Sequence, residues 1–534
     1  MVSTDVTTDT VWGDNLPLES QIVLQQPIFV KNGATLTILP GVIVRGQPRS
    51  AAVQAGSTAG TPGTLIVTQN GKIDAQGSKT APIIMTTAAT DNDNNGIADD
   101  ADGNGFEDPW NPGDVFLDDT PATAPLAPLN KAGEQNTALW GGLVILGNAP
   151  TNLGDAFGLG FGRRAVEGLT VPGFPVADAT YGGVEAHDNS GTLRYVSVRH
   201  AGDEIGDGNE LNGITLAGVG DGTTIEFAEV YVNFDDGIEW FGGTVSSRYL
   251  HVAFAGDDTF DLDQGYTGVN QFLFGVMPFF NENDGGSFGT SSGDKAGEFD
   301  GDDFDEVPSN VNLVGPGDAP WPLSNAITLN ATIIGSTPDS GAPGSAIDFA
   351  PVSAASANRG IQIRSGFAGE LKNSIVVNTG TAQGFDVDAG GAPGFTVAEN
   401  VAAGLVAVYC STFDDGAAIP AGPETDALNA GNARFAATTD NNNTGAGFPG
   451  LVEEDQSFNP TGNAAGKLDA TLAGGNGRLN PRPASGLSGI GGCAQPNEYG
   501  VDRSATYRGA FIRTASEIWT TDWTVLSIAG LLAD

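Results

Sequence analysis

Two stretches of this chain repeat at a spacing of 22 residues. Phe227-Ala-Glu-Val-Tyr-Val-Asn-Phe-Asp-Asp-Gly-Ile-Glu-Trp-Phe-Gly-Gly243 aligns with Tyr249-Leu-His-Val-Ala-Phe-Ala-Gly-Asp-Asp-Thr-Phe-Asp-Leu-Asp-Gln-Gly265. A further unit, Phe272-Leu-Phe-Gly-Val276, starts 23 residues after Tyr249. An earlier one, Tyr195-Val-Ser-Val-Arg-His-Ala-Gly-Asp-Glu204, starts 32 residues before Phe227, which leaves ten residues for an outward loop. Within each unit, short β-branched and aromatic runs are separated by Gly, Asn or Asp, the pattern of short strands. A period this short, with three strands per turn, predicts a right-handed parallel β-helix, in which each coil buries its apolar side only by stacking on the next. A propeller blade would repeat at roughly 40 residues or more.

The expected organisation follows from this rhythm. N-terminal coils span 1–90, an acidic loop insertion 91–136, and the main β-helix 137–395, with a Gly/Asp-rich loop at 281–325. C-terminal coils and a cap span 396–534, with Ala505 to Leu532 forming a short helix and strand over the last coil.

The formal net charge is −43. Such a surface repels phosphate backbones and anionic lipid, which excludes nucleic acid as a partner class and disfavours membrane surfaces. No run approaches the ~18 apolar residues of a transmembrane helix. Met1 is followed by Val2, Ser3, Thr4 and Asp5, with neither the basic nor the apolar region of a signal peptide, so the expectation is a trimmed mature chain, extracellular or on the outer cell surface. Cys410 and Cys493 are the two cysteines. They are either two buried thiols or one disulfide, and an oxidising location favours the disulfide.

The strongest chemical motif is a pair of nine-residue repeats over 91–108, each reading D-x-D-x-N-G-x-x-D. Alternating oxygen ligands, a Gly at the sharp turn and a further acid suit a hard cation. The candidate ligands are Asp91, Asp93, Asn95, Asp99, Asp100, Asp102, Asn104 and Asp108, and Ca²⁺ is the expected ion. The pattern resembles the calcium loops of thrombospondin type 3 repeats and dockerins.

Aligning the coils stacks Asp203-Glu204, Asp235-Asp236 and Asp257-Asp258 in one column, at roughly 4.8 Å per coil. Three readings stay open at this corner. It is a solvated turn, a second cation site, or a catalytic set in which Asp235, Asp236, Asp257 and Asp258 act as general acid and base on a glycosidic bond. No Gly-His-Gly or Arg-x-Lys companion accompanies the acids. The histidines are His187, His200 and His251, none in a metal-binding or nucleophile-elbow motif. Trp110, Trp240 and Trp321 are the candidates for a sugar-stacking platform, with core packing as the alternative.

Several segments carry a family resemblance. They are Ala138-Leu-Trp-Gly-Gly-Leu-Val-Ile-Leu-Gly-Asn-Ala-Pro150, Glu167-Gly168-Leu169, Tyr195 to Gly202, Asp235 to Thr244 and Gly256 to Gly265. Together they resemble a large family of secreted or outer-surface bacterial β-helix proteins without an established activity. The resemblance implies a surface protein on a β-helix scaffold. Two function hypotheses follow. One is a non-catalytic, calcium-stabilised display protein for adhesion, matrix or self-assembly, with calcium, surface polysaccharide or further copies of itself as partners. The alternative is a polysaccharide-active β-helix hydrolase or lyase.

Overall fold

The computed structural model describes residues 1–14, 21–49, 61–93, 98–100, 108, 110–119, 136–153, 162–167, 169, 175–204, 210–277, 295–301, 323–335, 347–348, 359–377, 385–388, 396–413, 443–444, 467–468, 481–482, 492–498, 500–512, 514–530 and 532. Three parallel ladders run along the molecule. Ladder one begins at Thr10–Trp12, Thr35–Ile38 and Lys72–Gln76 and ends at Glu370–Lys372 and Ala407–Tyr409. Ladder two begins at Gln21–Leu24 and Ile43–Gly46 and ends at Thr412–Phe413 and Asn443–Thr444. Ladder three runs from Ile28–Val30 through Ile214–Ala217, Ile238–Phe241 and Phe260–Asp263 to Phe385–Val387. This is a parallel β-helix.

The 22-residue repeat sets the register. Val230 pairs with Val252, Trp240 with Leu262, and Glu239 with Asp261. Alternation then sorts the side chains. Ile238, Trp240, Phe260 and Leu262 point into one apolar interior, shared with Val230 and Val252. Glu239 and Asp261 point outward. The close approach at the corner before ladder three requires glycine. A β-carbon at Gly237 would lie 2.4 Å from Val252 Cγ1.

Four long strands, Gly191–Ala201, Thr224–Asn233, Ser247–Ala255 and Val269–Val276, serve ladders one and two together. Each bends at a left-handed residue: Tyr195, Phe227, Tyr249 and Phe272, with φ between 49° and 63°. Such backbone costs an L-residue roughly 1–2 kcal/mol, which the aromatic rings offset by stacking. The centroids lie 4.4, 4.4 and 4.8 Å apart along the column. Asn330, Asn373 and Cys410 take the same left-handed place in later coils.

Two placements differ from the sequence reading. Inside 281–325, Lys295–Asp300 is a strand of ladder three rather than loop. Its Lys-Ala-Gly-Glu-Phe-Asp run is too polar to announce a strand without its neighbours. The described residues of 492–532 contact the flank of the coils. They lie beside the aromatic column, where Trp523 meets Tyr195 and Phe227 edge-on and Trp519 meets Tyr249. Cys493 is joined to Cys410 by a disulfide, with Cα atoms 5.8 Å apart. Among the described residues, no helix is long and apolar enough to cross a membrane.

Candidate functional site

The corner between ladders two and three gathers the acids. Asp236 and Asp258 each stand three residues before an outward acid of ladder three, Glu239 and Asp261. Lys295 stands three before Glu298 in the next coil. The corner residues chain together. The Asp258 N–H donates to Asp236 Oδ1 at 2.8 Å, and the Lys295 N–H donates to Asp258 Oδ1 at 2.6 Å. Carboxylate oxygens of Asp235, Asp236 and Asp257 lie within 4.8 Å of one another, as do those of Asp236, Glu239 and Asp261.

Burial makes this crowding consequential. Asp236 is 7% exposed and Asp258 2%. Loss of hydration pushes the carboxyls of Asp235, Asp236, Glu239, Asp258 and Asp261 well above the usual carboxylate range, and their mutual repulsion pushes them further. At the rim, burial and the charge of Glu210 lift Glu167 to about 7 against the pull of Arg164. One coil on, the balance reverses. Burial raises Glu298, but its hydrogen bond to Asp258 and the charges of Lys295 and Arg364 outweigh it and bring the carboxyl below its ordinary value. Lys295 Nζ lies 3.5 Å from Asp258 and 3.3 Å from Glu298.

Of the six acids aligned by sequence, Asp235, Asp236, Asp257 and Asp258 form this column. Asp203 and Glu204 leave it. They pair with Glu210–Leu211 in a short antiparallel hairpin, and Asp203 meets Arg49 at 2.9 Å. Asn212 takes the vacated corner place, three residues before Thr215. The ten-residue excess in that coil is what diverts the chain. Glu239 and Asp261 join the site from outside the aligned pairs, and their signal in the sequence is the shared 22-residue offset and their alternation with interior Trp240 and Leu262.

The second acidic place is the 91–108 insertion. Carboxylate oxygens of Asp91, Asp93 and Asp99 lie within 4.8 Å of one another. The Asp99 N–H donates to the Thr90 carbonyl and the Asp108 N–H to the Asp99 carbonyl, at 2.8 and 2.7 Å, so the chain returns beside its start. Asp99 Oδ2 also accepts from Thr90 Oγ1 and the Asn92 N–H. Asp100 and Asp108 are described but fall outside this triad. Asn95, Asp102 and Asn104 lie outside the described residues. The insertion is anchored to the coils by Arg45, which pairs with Asp118 and lies 4.0 Å over the Phe116 ring.

The remaining candidates have structural partners. His200 contacts the Asn136 carbonyl through Nδ1 at 2.9 Å. Trp240 is interior, and Trp110 stacks on Phe116 at 5.1 Å. Trp321 lies outside the described residues. A groove of about 820 Å³ runs beside ladder one, between the coils and Glu498, Gly500 and Val501. Glu226, Thr244, Ser246, Arg248 and Gln271 line its coil side. Glu226 is clamped there by Arg194 and Arg248.

No curated protein sequence matches the chain. Among solved structures, the Dettilon tailspike protein (gp208) aligns over 69% of this chain and 61% of its own, at 10% identity and a TM-score of 0.18. The chain thus spans less than two thirds of that tailspike. A profile of the pectate-lyase-like β-helix domain matches residues 10–98 and 121–453, most of the sequence. With three parallel ladders built on that stretch, the chain belongs to the pectate-lyase-like β-helix domain family.

Proposed function

We propose that this protein is a calcium-stabilised β-helix of the extracellular space or outer cell surface, acting as a display scaffold rather than a catalyst. The observation that carries the reading is the Asp91–Asp93–Asp99 triad. Oxygens at about 2.4 Å from a calcium ion lie at most about 4.8 Å apart, and the triad meets that limit on a loop whose spacing suits the ion. The disulfide and the strongly acidic composition support an extracellular location. Adhesion or self-assembly through divalent bridging suits a surface of charge −43, since free carboxylates alone would hold copies apart. Scanning calorimetry with calcium and after EDTA tests the reading. Calcium far above its dissociation constant should raise stability by a few kcal/mol. Identical melting in both, with no metal by elemental analysis, removes it.

A second reading rests on the acid pairs of the corner. Carboxyls with raised pKa beside ionised ones can serve as general acid and base on a glycosidic bond, and the family resemblance to pectate lyases makes polysaccharide the substrate class to try. Release of sugars from a glycan panel, lost in Asp257→Asn while the fold survives, would establish it over the display reading.

A further inference from the structure

The geometry points to a two-cation centre at the acidic corner, with Asp236 bridging both ions. One ion is held by Asp235, Asp236 and Asp257, the other by Asp236, Glu239 and Asp261. The inference rests on the reading of this protein as a calcium binder and adds a second, independent place for the ion.

Three observations carry it. First, both oxygen triads meet the spacing limit for a single calcium ion, and Asp236 belongs to both. Second, among the described residues no ion pair reaches Asp235, Asp236, Glu239 or Asp261, while one coil further the chain supplies its own cations, Lys295 and Arg364, to Asp258 and Glu298. The stack therefore passes from two coils whose acids bring no cation of their own to two that supply Lys295 and Arg364. Third, Asn212 is 1% exposed, gives its Nδ2 to the Glu239 carboxylate of the second triad and leaves the Oδ1 of the same amide without a partner. A buried amide oxygen left unpaired costs roughly 1–3 kcal/mol, and a calcium ion accepts such an oxygen as a ligand. Asp261 Oδ1 is likewise unpaired. Burial favours the ion further, because bare carboxylates this close can coexist only by taking up protons.

The test counts ions on the full-length chain by elemental analysis and calcium titration calorimetry, with CaCl₂ as the probe. The insertion is silenced in the background by Asp93→Asn with Asp99→Asn. Against that background, Asp236→Asn should remove two ions, while Asp257→Asn and Glu239→Gln should each remove one. Loss of a single ion in Asp236→Asn overturns the shared centre but leaves a calcium corner. Loss of none, with the background itself calcium-free, overturns both. If Asp236→Asn fails to fold by circular dichroism, the Asp257→Asn, Glu239→Gln double variant replaces it and should lose two ions. The loop reading is judged separately, by whether the silenced background binds fewer ions than wild type.

Discussion

The backbone N–H of Val525 donates to Glu229 Oε1 at 2.7 Å, tying the final helix to a coil 296 residues earlier in the chain. Glu229 is fully buried there and also accepts from Ser197 Oγ at 2.5 Å. The imidazole of His251, stacked on Phe274, stands 3.9 Å away. Burial lifts Glu229 to about 7 and depresses His251 to about 4.

Removing this acceptor should loosen the flank segment. Glu229→Ala leaves the Ser197 O–H and the Val525 N–H without an acceptor in a buried interface, although the Ser197 oxygen still accepts from Arg199 Nε, a loss of roughly 1–3 kcal/mol for each donor. Glu229→Gln keeps an acceptor and should lose less than half as much. Denaturant melts of the two variants, with proteolysis near residue 525, make the comparison.

His251 should oppose acidification. Its folded pKa lies below the usual 6.5, so its stabilising contribution is complete above 6.5 and is lost as pH falls towards 4. His251→Asn removes that slope. Relative to wild type, the variant should gain up to about 3 kcal/mol between pH 6.5 and 4. A constant difference across that window would show that the imidazole stays protonated in the fold.

The acidic corner gives the opposite sign. Its carboxyls have folded pKa values above their unfolded ones, so their contribution is complete below about pH 4 and is lost as pH rises through the folded values, about 7 for Glu167. EDTA-treated protein should therefore melt lower at pH 8 than at pH 5, and saturating calcium should flatten the dependence. Parallel calorimetry at the two pH values reads this directly.

Reduction of Cys410–Cys493 should cost about 4.5 kcal/mol on the chain-entropy view, because the bridge closes a span of 83 residues. Cys493→Ser should reproduce the loss without reductant. Phe227→Ala, which keeps the left-handed backbone and removes the ring between Tyr195 and Tyr249, should cost about 3 kcal/mol. Thermal melts rank the two against each other.

The sequence revealed the coils wherever the repeat was uninterrupted. The 22-residue offset pairs Val230 with Val252 and places Asp235 and Asp257 on adjacent coils, because strand alternation and turn spacing are local properties. It misplaced Asp203 and Glu204, since an insertion in a coil does not show whether the chain turns before or after the last aligned residue. The Trp519 and Trp523 contacts were illegible for another reason. They join segments hundreds of residues apart, and no periodicity records which flank a terminal segment will choose. Lys295 sat unrecognised as the partner of Asp258 for the same reason.

The left-handed corner also divides the molecule into a fixed side and a variable one. From Tyr195 to Cys410 the chain passes from ladder one to ladder two on one or two residues at seven coils in succession. The flank segment seals that edge with Trp523, Trp519 and Cys493. Long excursions leave elsewhere, as at 88–142 between ladders two and three and 147–190 between ladders three and one. The excursion at 147–190 packs Leu153, Val166, Leu169 and Tyr181 on the outer face of ladder three, and the one at 88–142 is held by Arg45 and Asp118, so loops there can lengthen, shrink or be exchanged outside those anchoring residues while the spine keeps its register. Natural variation and engineered grafts should thus concentrate on the acidic edge and its neighbour, leaving the aromatic edge as the part that every such variant must inherit unchanged.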